Sequence, residues 1–242
     1  MQLSLTPILL ATQIGFLLVL ARRAAGHGPA GISMLPTYAL AGWIAVYGIA
    51  TSILGARGVY VSDDTLHLLP GLWLQLVTVA ACVLPVLAWN ALRENLRWIV
   101  DRTPLHWFAY FHGLRVLAVG TAQKTMVGEF PVYFEAMVGI PDLLFGLSAF
   151  WIASRLKRGA VTARQFMIWN IVGALIIVPS APILLQLGLP GPLYLFTEQP
   201  DARAVYTYPM SIAPMIVVPL FVMANLLVAW RLRERRTVPT RI

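Results

Sequence analysis

Of the 242 residues, 59% are hydrophobic and 12% charged, with a mean hydropathy of +0.75, whereas a soluble domain carries roughly 25% charged residues. This composition excludes an ordinary soluble fold and implies a multi-pass membrane protein. The net charge of +8 comes from basic residues set in short groups between apolar runs, so there is no continuous basic stripe for nucleic acid.

Stretches of about 20 apolar residues predict seven transmembrane helices, near residues 3–21, 36–55, 70–91, 104–123, 131–154, 163–187 and 208–230. The expected fold is an all-α polytopic bundle, a single domain over residues 1–242. The first span is followed by Arg22 and Arg23, the reverse of the charge order of a secretory signal, and is expected to stay in the chain. After the second span, Asp63, Asp64 and His67 offer too few oxygen ligands for a firm divalent-cation site, and no metal centre is expected. Cys82 is the only cysteine, which leaves no intrachain disulfide and no thiol-rich metal site. Arg93 to Arg102 reads as an amphipathic surface segment whose Trp98 and Ile99 dip into the membrane interface.

The fourth span carries His106, His112 and Arg115. The two histidines project about 240° apart on one helix, which argues against an internal bis-His haem with one ligand from each of two helices. Lys124 and Lys157 are the only lysines and sit at loop boundaries, so no span offers the Schiff-base lysine that covalent retinal needs. The fifth span carries Glu135 and Asp142; Pro141 predicts a kink at the acid that frees the Met137 carbonyl. Pro85, Pro179, Pro182, Pro214 and Pro219 predict packing kinks elsewhere. Residues 188–208, with Glu198, Asp201 and Arg203, form a loop long enough for a lid or contact surface. No internal repeat is visible, and seven spans do not divide into two inverted halves.

Lys and Arg concentrate on the side of the chain that an outside N-terminus would make cytoplasmic. Fourteen lie there, from Arg22 and Arg23 through Arg155, Lys157 and Arg158 to Arg231, Arg233, Arg235, Arg236 and Arg241. The opposite side has three, Arg57, Lys124 and Arg203. Trp89, Trp98, Trp107, Trp151, Trp169 and Trp230 are expected at the same inner boundary, where indoles favour the headgroup level. Both signals predict N-terminus outside, C-terminus inside.

Counting outward from a hairpin tip near Val127 puts His112, Arg115, Glu135 and Asp142 at similar depths. His112 and Arg115 share one helix face, as do Glu135 and Asp142, so Arg115 is positioned to bridge carboxylates with its planar fork. One reading is structural, a buried ion pair fixing helix packing. The other is functional, because one Arg against two acids leaves a negative charge for a proton, His112 or a bound cation to balance, and the set titrates together. Asn90, Asn170 and Asn225 fall in the inner third, either as interhelical hydrogen-bond glue or as a polar path from Asp142 towards the cytoplasm. No GxSxG, HExxH, Walker loop or spaced Cys/His set occurs, so no catalytic residue is assigned and an enzyme is the less favoured class.

Phe111-His112-Gly113-Leu114-Arg115-Val116, Phe130-Pro131, Gly139-Ile140-Pro141-Asp142-Leu143-Leu144-Phe145-Gly146, Trp169-Asn170 and Gly173 together resemble a widespread group of bacterial multi-pass membrane proteins with no established activity, over spans four to seven. In that group Gly-x-Gly-Asp stands where this chain has Pro141 before the acid, and an acid often stands where this chain has Ile176. The resemblance implies a helical bundle in a bacterial inner membrane and carries over no catalytic residue. Two functions are then open: binding or transport of a small polar solute, proton or cation through His112, Arg115, Glu135 and Asp142, or a non-catalytic accessory or assembly subunit of a larger membrane complex. The expected partners are the lipid bilayer and further copies or other membrane subunits.

Overall fold

The computed structural model describes residues 4–26 and 33–237. Helices α1 (Thr6–Ala25) and α2 (Leu35–Ala56) each place a proline in the first turn, where a missing N–H leaves no bond unmade. A short α3 (Asp63–Leu66) leads into α4 (Pro70–Ala88), which ends three residues after Pro85 as the chain turns extended at Trp89. Helix α5 (Asn90–Arg102) follows. Next come α6 (Leu105–Gly113), a 3-10 turn (Leu114–Ala118) and α7 (Val119–Met126). The return strand of this hairpin comprises α8 (Val132–Phe134), a π turn (Glu135–Gly139) and α9 (Ile140–Lys157). A Thr162/Gln165 capping box starts α10 (Ala163–Leu175), followed by α11 (Ser180–Leu187) and α12 (Arg203–Tyr206). A second π turn (Ala213–Val217) opens α13 (Val218–Thr237).

Among the described residues six segments are long and apolar enough to cross a membrane: Thr6–Ala25, Leu35–Ala56, Pro70–Ala88, Val132–Lys157, Ala163–Leu187 and Ala213–Arg235. They are compatible with an integral membrane protein. The remaining expected span, 104–123, is the one broken by the 3-10 turn, and the α7 segment in which it ends carries Thr121, Gln123, Lys124 and Thr125. Leu3 and Arg241, assigned above to the first span and the basic end, lie outside the described residues, as does the side chain of Arg236. Large apolar side chains cover the outside of the bundle, among them Val46, Ile49, Leu84, Leu87 and Leu175. A surface of this kind suits lipid contact.

Helix α5 departs from the expectation of an interfacial segment. Its apolar face, Leu92, Leu96, Ile99 and Val100, is buried in the bundle, and the Trp98 indole donates to the Ala24 carbonyl at 3.1 Å. Asp101 clamps this helix to α13, accepting from Arg231 Nε at 2.8 Å and Nη2 at 2.6 Å and also from Arg235. The apolar residues at i, i+3 and i+4 spacing face protein here because α1, α2 and α13 end beside them.

Two apolar cores result. One gathers Leu92, Ile99, Phe108, Phe166 and Phe221, the other Tyr60, Phe130, Phe134, Leu185 and Tyr206. Along α6 and into the hairpin turn, His112 and Arg115 fall between Phe108 of the first core and Phe130 of the second. Along α10, Asn170 falls between Phe166 and Ile177.

The loop over residues 188–208 is a well-bonded cap. Phe196 stacks on Tyr133 with ring centroids 4.1 Å apart. Asp201, 2% exposed, accepts from Tyr194 Oη at 3.0 Å, Gln199 Nε2 at 3.2 Å and both the backbone and side chain of Arg203. Burial pushes the Asp201 carboxyl upward, but these donors outweigh it and hold the group below the ordinary carboxylate range. A carboxyl held low stabilises the fold above its unfolded-chain pKa of about 4, and that contribution is lost as pH falls through the folded value. Asp201→Asn is therefore expected to cost about 2 kcal/mol at neutral pH and to flatten the acid limb of a stability profile. Thermal unfolding in detergent from neutral pH down to about 3 measures both; an unchanged acid limb would show that the knot does not hold the cap.

Candidate functional site

Arg115 lies at 1% exposure in the 3-10 turn, whose tighter winding aims the side chain across the bundle. The turn comes close to α9 at Gly146: a Cβ there would stand 2.8 Å from the Val116 amide and 3.0 Å from the Arg115 backbone carbon. Only a glycine lets these backbones touch. The guanidinium lies over the rings of Phe145 and Phe221, at 4.8 and 5.0 Å from their centroids. Its Nη1 donates to Asp142 Oδ1 at 2.9 Å and to the Gly173 carbonyl at 3.1 Å.

Asn225 of α13 completes the set. With its amide turned to satisfy both ends, its oxygen accepts from Arg115 Nη2 at 2.8 Å and from the Ala174 amide at 3.3 Å. Its nitrogen donates to His112 Nε2 at 2.8 Å and to Asn170 Oδ1 at 3.0 Å. His112 is wholly buried within reach of Phe111, Phe145, Trp169 and Phe221. Since Nε2 accepts, the imidazole is neutral with its proton on Nδ1, and Nδ1 has no acceptor.

Glu135 does not join Arg115. It opens the π turn at 3% exposure, and neither carboxylate oxygen has a hydrogen-bond partner. The neighbouring Thr121 hydroxyl donates instead to the Ala118 carbonyl at 2.7 Å. The expected Pro141 kink takes this form: the Ile140 amide bonds back to the Glu135 carbonyl in a π turn, and Asp142 then sits in the first turn of α9. A cavity of about 830 Å³ opens from the hairpin turn at Lys124 and Glu129 and reaches Thr121, Glu135, Asp142 and Arg115. Asp142 keeps 13% exposure on it and gives only one oxygen to Arg115.

The structure thus brings together five of the seven singled-out polar residues, His112, Arg115, Asp142, Asn170 and Asn225, and places Glu135 on the same cavity without a bond to them. Asn90 is not in the cluster: it is exposed and accepts from Arg93 at 2.7 Å. Trp169 lies beside the cluster: it stacks on Phe145 with ring centroids 4.3 Å apart, and its indole donates to the Ser148 hydroxyl at 3.1 Å. Sequence reasoning missed Phe145, Phe221 and the Gly173 carbonyl. Phe145 carried a signal, lying three residues after Asp142 on the same helix face, and Gly173 stands in the resemblance without a role; Phe221 carried none. Among the described residues no group of three or more His, Cys, Asp or Glu side chains is placed to hold a metal.

Replacing Asn225 with Leu keeps the volume and strands Arg115 Nη2, His112 Nε2 and Asn170 Oδ1 in an apolar interior. The expected loss is about 3 kcal/mol, against less than about 0.5 kcal/mol for Asn90→Leu on the surface. Denaturant unfolding of the two variants in micelles measures the difference, and equal losses would mean the network carries no stability.

Comparison with known proteins finds one family, described as Domain of unknown function (DUF8737), which matches residues 71–233 and so contains every residue of the cluster. Neither the curated proteins nor the solved structures include a match. The chain belongs to the DUF8737 family.

Proposed function

We propose that this is a bacterial inner-membrane protein that binds, and carries across or within the bilayer, a proton, cation or small polar solute at Glu135, Asp142, Arg115 and His112. The observation that carries the reading is Glu135: a carboxylate 3% exposed, without a single hydrogen-bond donor, beside a cavity that also meets an Arg–Asp pair. A buried carboxylate left so is costly, and a proton or cation removes the cost. Asn170 and Asn225 orient the Arg115–His112 side of the site. An anionic lipid leaflet would face the basic end, with the N-terminus outside. Four Arg–Trp stacks, Arg23–Trp107, Arg97–Trp230, Arg102–Trp98 and Arg155–Trp151, support that orientation, since they suit the headgroup level. The α6, 3-10 and α7 segments in sequence span about 35 Å at helical rises, which supports a seventh crossing over a hydrocarbon core of about 30 Å.

A second reading, an accessory or assembly subunit, is favoured by a different observation: Arg115 and Asn225 tie α6, α9, α10 and α13 together, as a purely structural hub would. Reconstitution separates the two. Liposomes holding the wild-type chain are expected to dissipate an imposed proton or sodium gradient, with Glu135→Gln and Asp142→Asn slower by at least about tenfold, equivalent to about 1.4 kcal/mol in the barrier. Flux equal to empty liposomes for all three, together with stable co-assembly with other subunits in native mass spectrometry, would replace the first reading with the second.

A further inference from the structure

We infer that the cavity takes an organic monocation with a bulky apolar body, its charge lodged against the Glu135 and Asp142 carboxylates. This deepens the solute-binding reading and rests on it. Size is the first argument. The cavity measures about 830 Å³, within the roughly 300–1,000 Å³ of sites for drug-sized ligands. A water molecule has a share of about 30 Å³ in the liquid, so an inorganic cation with its inner waters would leave most of this volume against bare hydrocarbon.

The walls decide what fills the rest. Leu9, Val79, Phe134, Val138 and Leu185 line the cavity and apolar side chains make up most of its wall, with one polar patch at Arg115, Thr121, Glu135 and Asp142 and further polar side chains at Gln75 and Gln123. A sugar or amino acid would lose its hydrogen bonds against such walls. An apolar body would gain by burial.

Charge then sets the sign. The cavity is lined by two cationic side chains, Arg115 and Lys124, and three carboxylates, Glu129, Glu135 and Asp142, an excess of one negative charge. Arg115 has little left for an anion: both terminal nitrogens donate within the protein, the guanidinium lies over the Phe145 and Phe221 rings, and its unpaired Nε is buried. Glu135 has both oxygens unpaired. Its carboxylate folds back over Gly139, where an added Cβ would collide with it, so both oxygens lie buried just behind the cavity wall. Asp142 presents its second oxygen on the same wall.

The test uses the full chain in lipid nanodiscs and two probes of nearly the same shape and opposite charge, tetraphenylphosphonium and tetraphenylborate, followed by equilibrium dialysis. The expected result is saturable binding of about one tetraphenylphosphonium per chain, tetraphenylborate showing only the partition seen with empty discs, and an affinity at least about tenfold weaker in Glu135→Gln. The wild-type comparison of the two probes needs no variant to fold. Saturable binding of both ions alike, no saturable binding of the cation, or an unchanged affinity in folded Glu135→Gln overturns the inference. If tetraphenylphosphonium fails to saturate while carboxylate-dependent flux of protons or sodium persists in liposomes, the inference falls and the reading beneath it stands; loss of both removes both.

Discussion

The guanidinium of Arg115 cannot shed its charge in a protein interior, and at 1% exposure it must find every partner among the helices around it. Its terminal nitrogens donate to a carboxylate on α9, a carbonyl on α10 and an amide oxygen on α13, and the guanidinium lies over the rings of Phe145 and Phe221. Each of those contacts fixes one helix relative to α6. In a membrane, where apolar side chains gain nothing by exchanging lipid for protein, such polar and close-backbone contacts determine which faces meet. The α6–α9 and α10–α13 pairs form the densest part of the bundle, and they meet at this residue.

The same demand accounts for the irregular helices. An unbroken α-helix through residues 105–126 would keep a uniform rise and twist. The 3-10 turn at Leu114–Ala118 changes both around Arg115, with Gly146 opposite to admit its backbone. Across the interface, the π turn at Glu135–Gly139 adds a residue to one turn before Pro141, so the proline's missing N–H falls where the helical ladder is already rearranged. These two departures from α geometry lie at ionisable residues, whereas the π turn at Ala213–Val217 contains none. That pairing is what functional helix irregularities commonly show, although a structural hub would use it equally well.

Much of this was legible in the sequence, for identifiable reasons. Hydropathy found the six continuous spans because a helix in lipid needs an apolar run of fixed length. Depth counted from the hairpin turn brought Arg115 to Asp142, since two antiparallel helices have one rise per residue and the turn fixes their register. What stayed hidden was rotation about each helix axis. Depth alone gave Asn90, Asn170 and Asn225 equal standing, yet only the latter two point to His112 and Arg115. It likewise set Glu135 and Asp142 as joint partners of Arg115, whereas the π turn rotates Glu135 away. The apolar stripe of α5 was visible, but periodicity does not distinguish a stripe facing lipid from one facing three neighbouring helices.

Glu135 is where structural and functional accounts diverge. A hub needs Arg115, one carboxylate and the Asn225 amide, and with those in place the guanidinium charge is neutralised and both terminal nitrogens have acceptors, Nε alone being unpaired. A second acid at the same level adds nothing to that arrangement. It is buried, bonded to no donor and set over a glycine on the wall of a large, mainly apolar cavity. Folding alone would favour a glutamine, leucine or methionine at this position, each avoiding an unsatisfied buried carboxylate. The cost becomes intelligible when the partner of Glu135 comes from outside the chain, as a proton or as the charged end of a molecule that fills the space beside it.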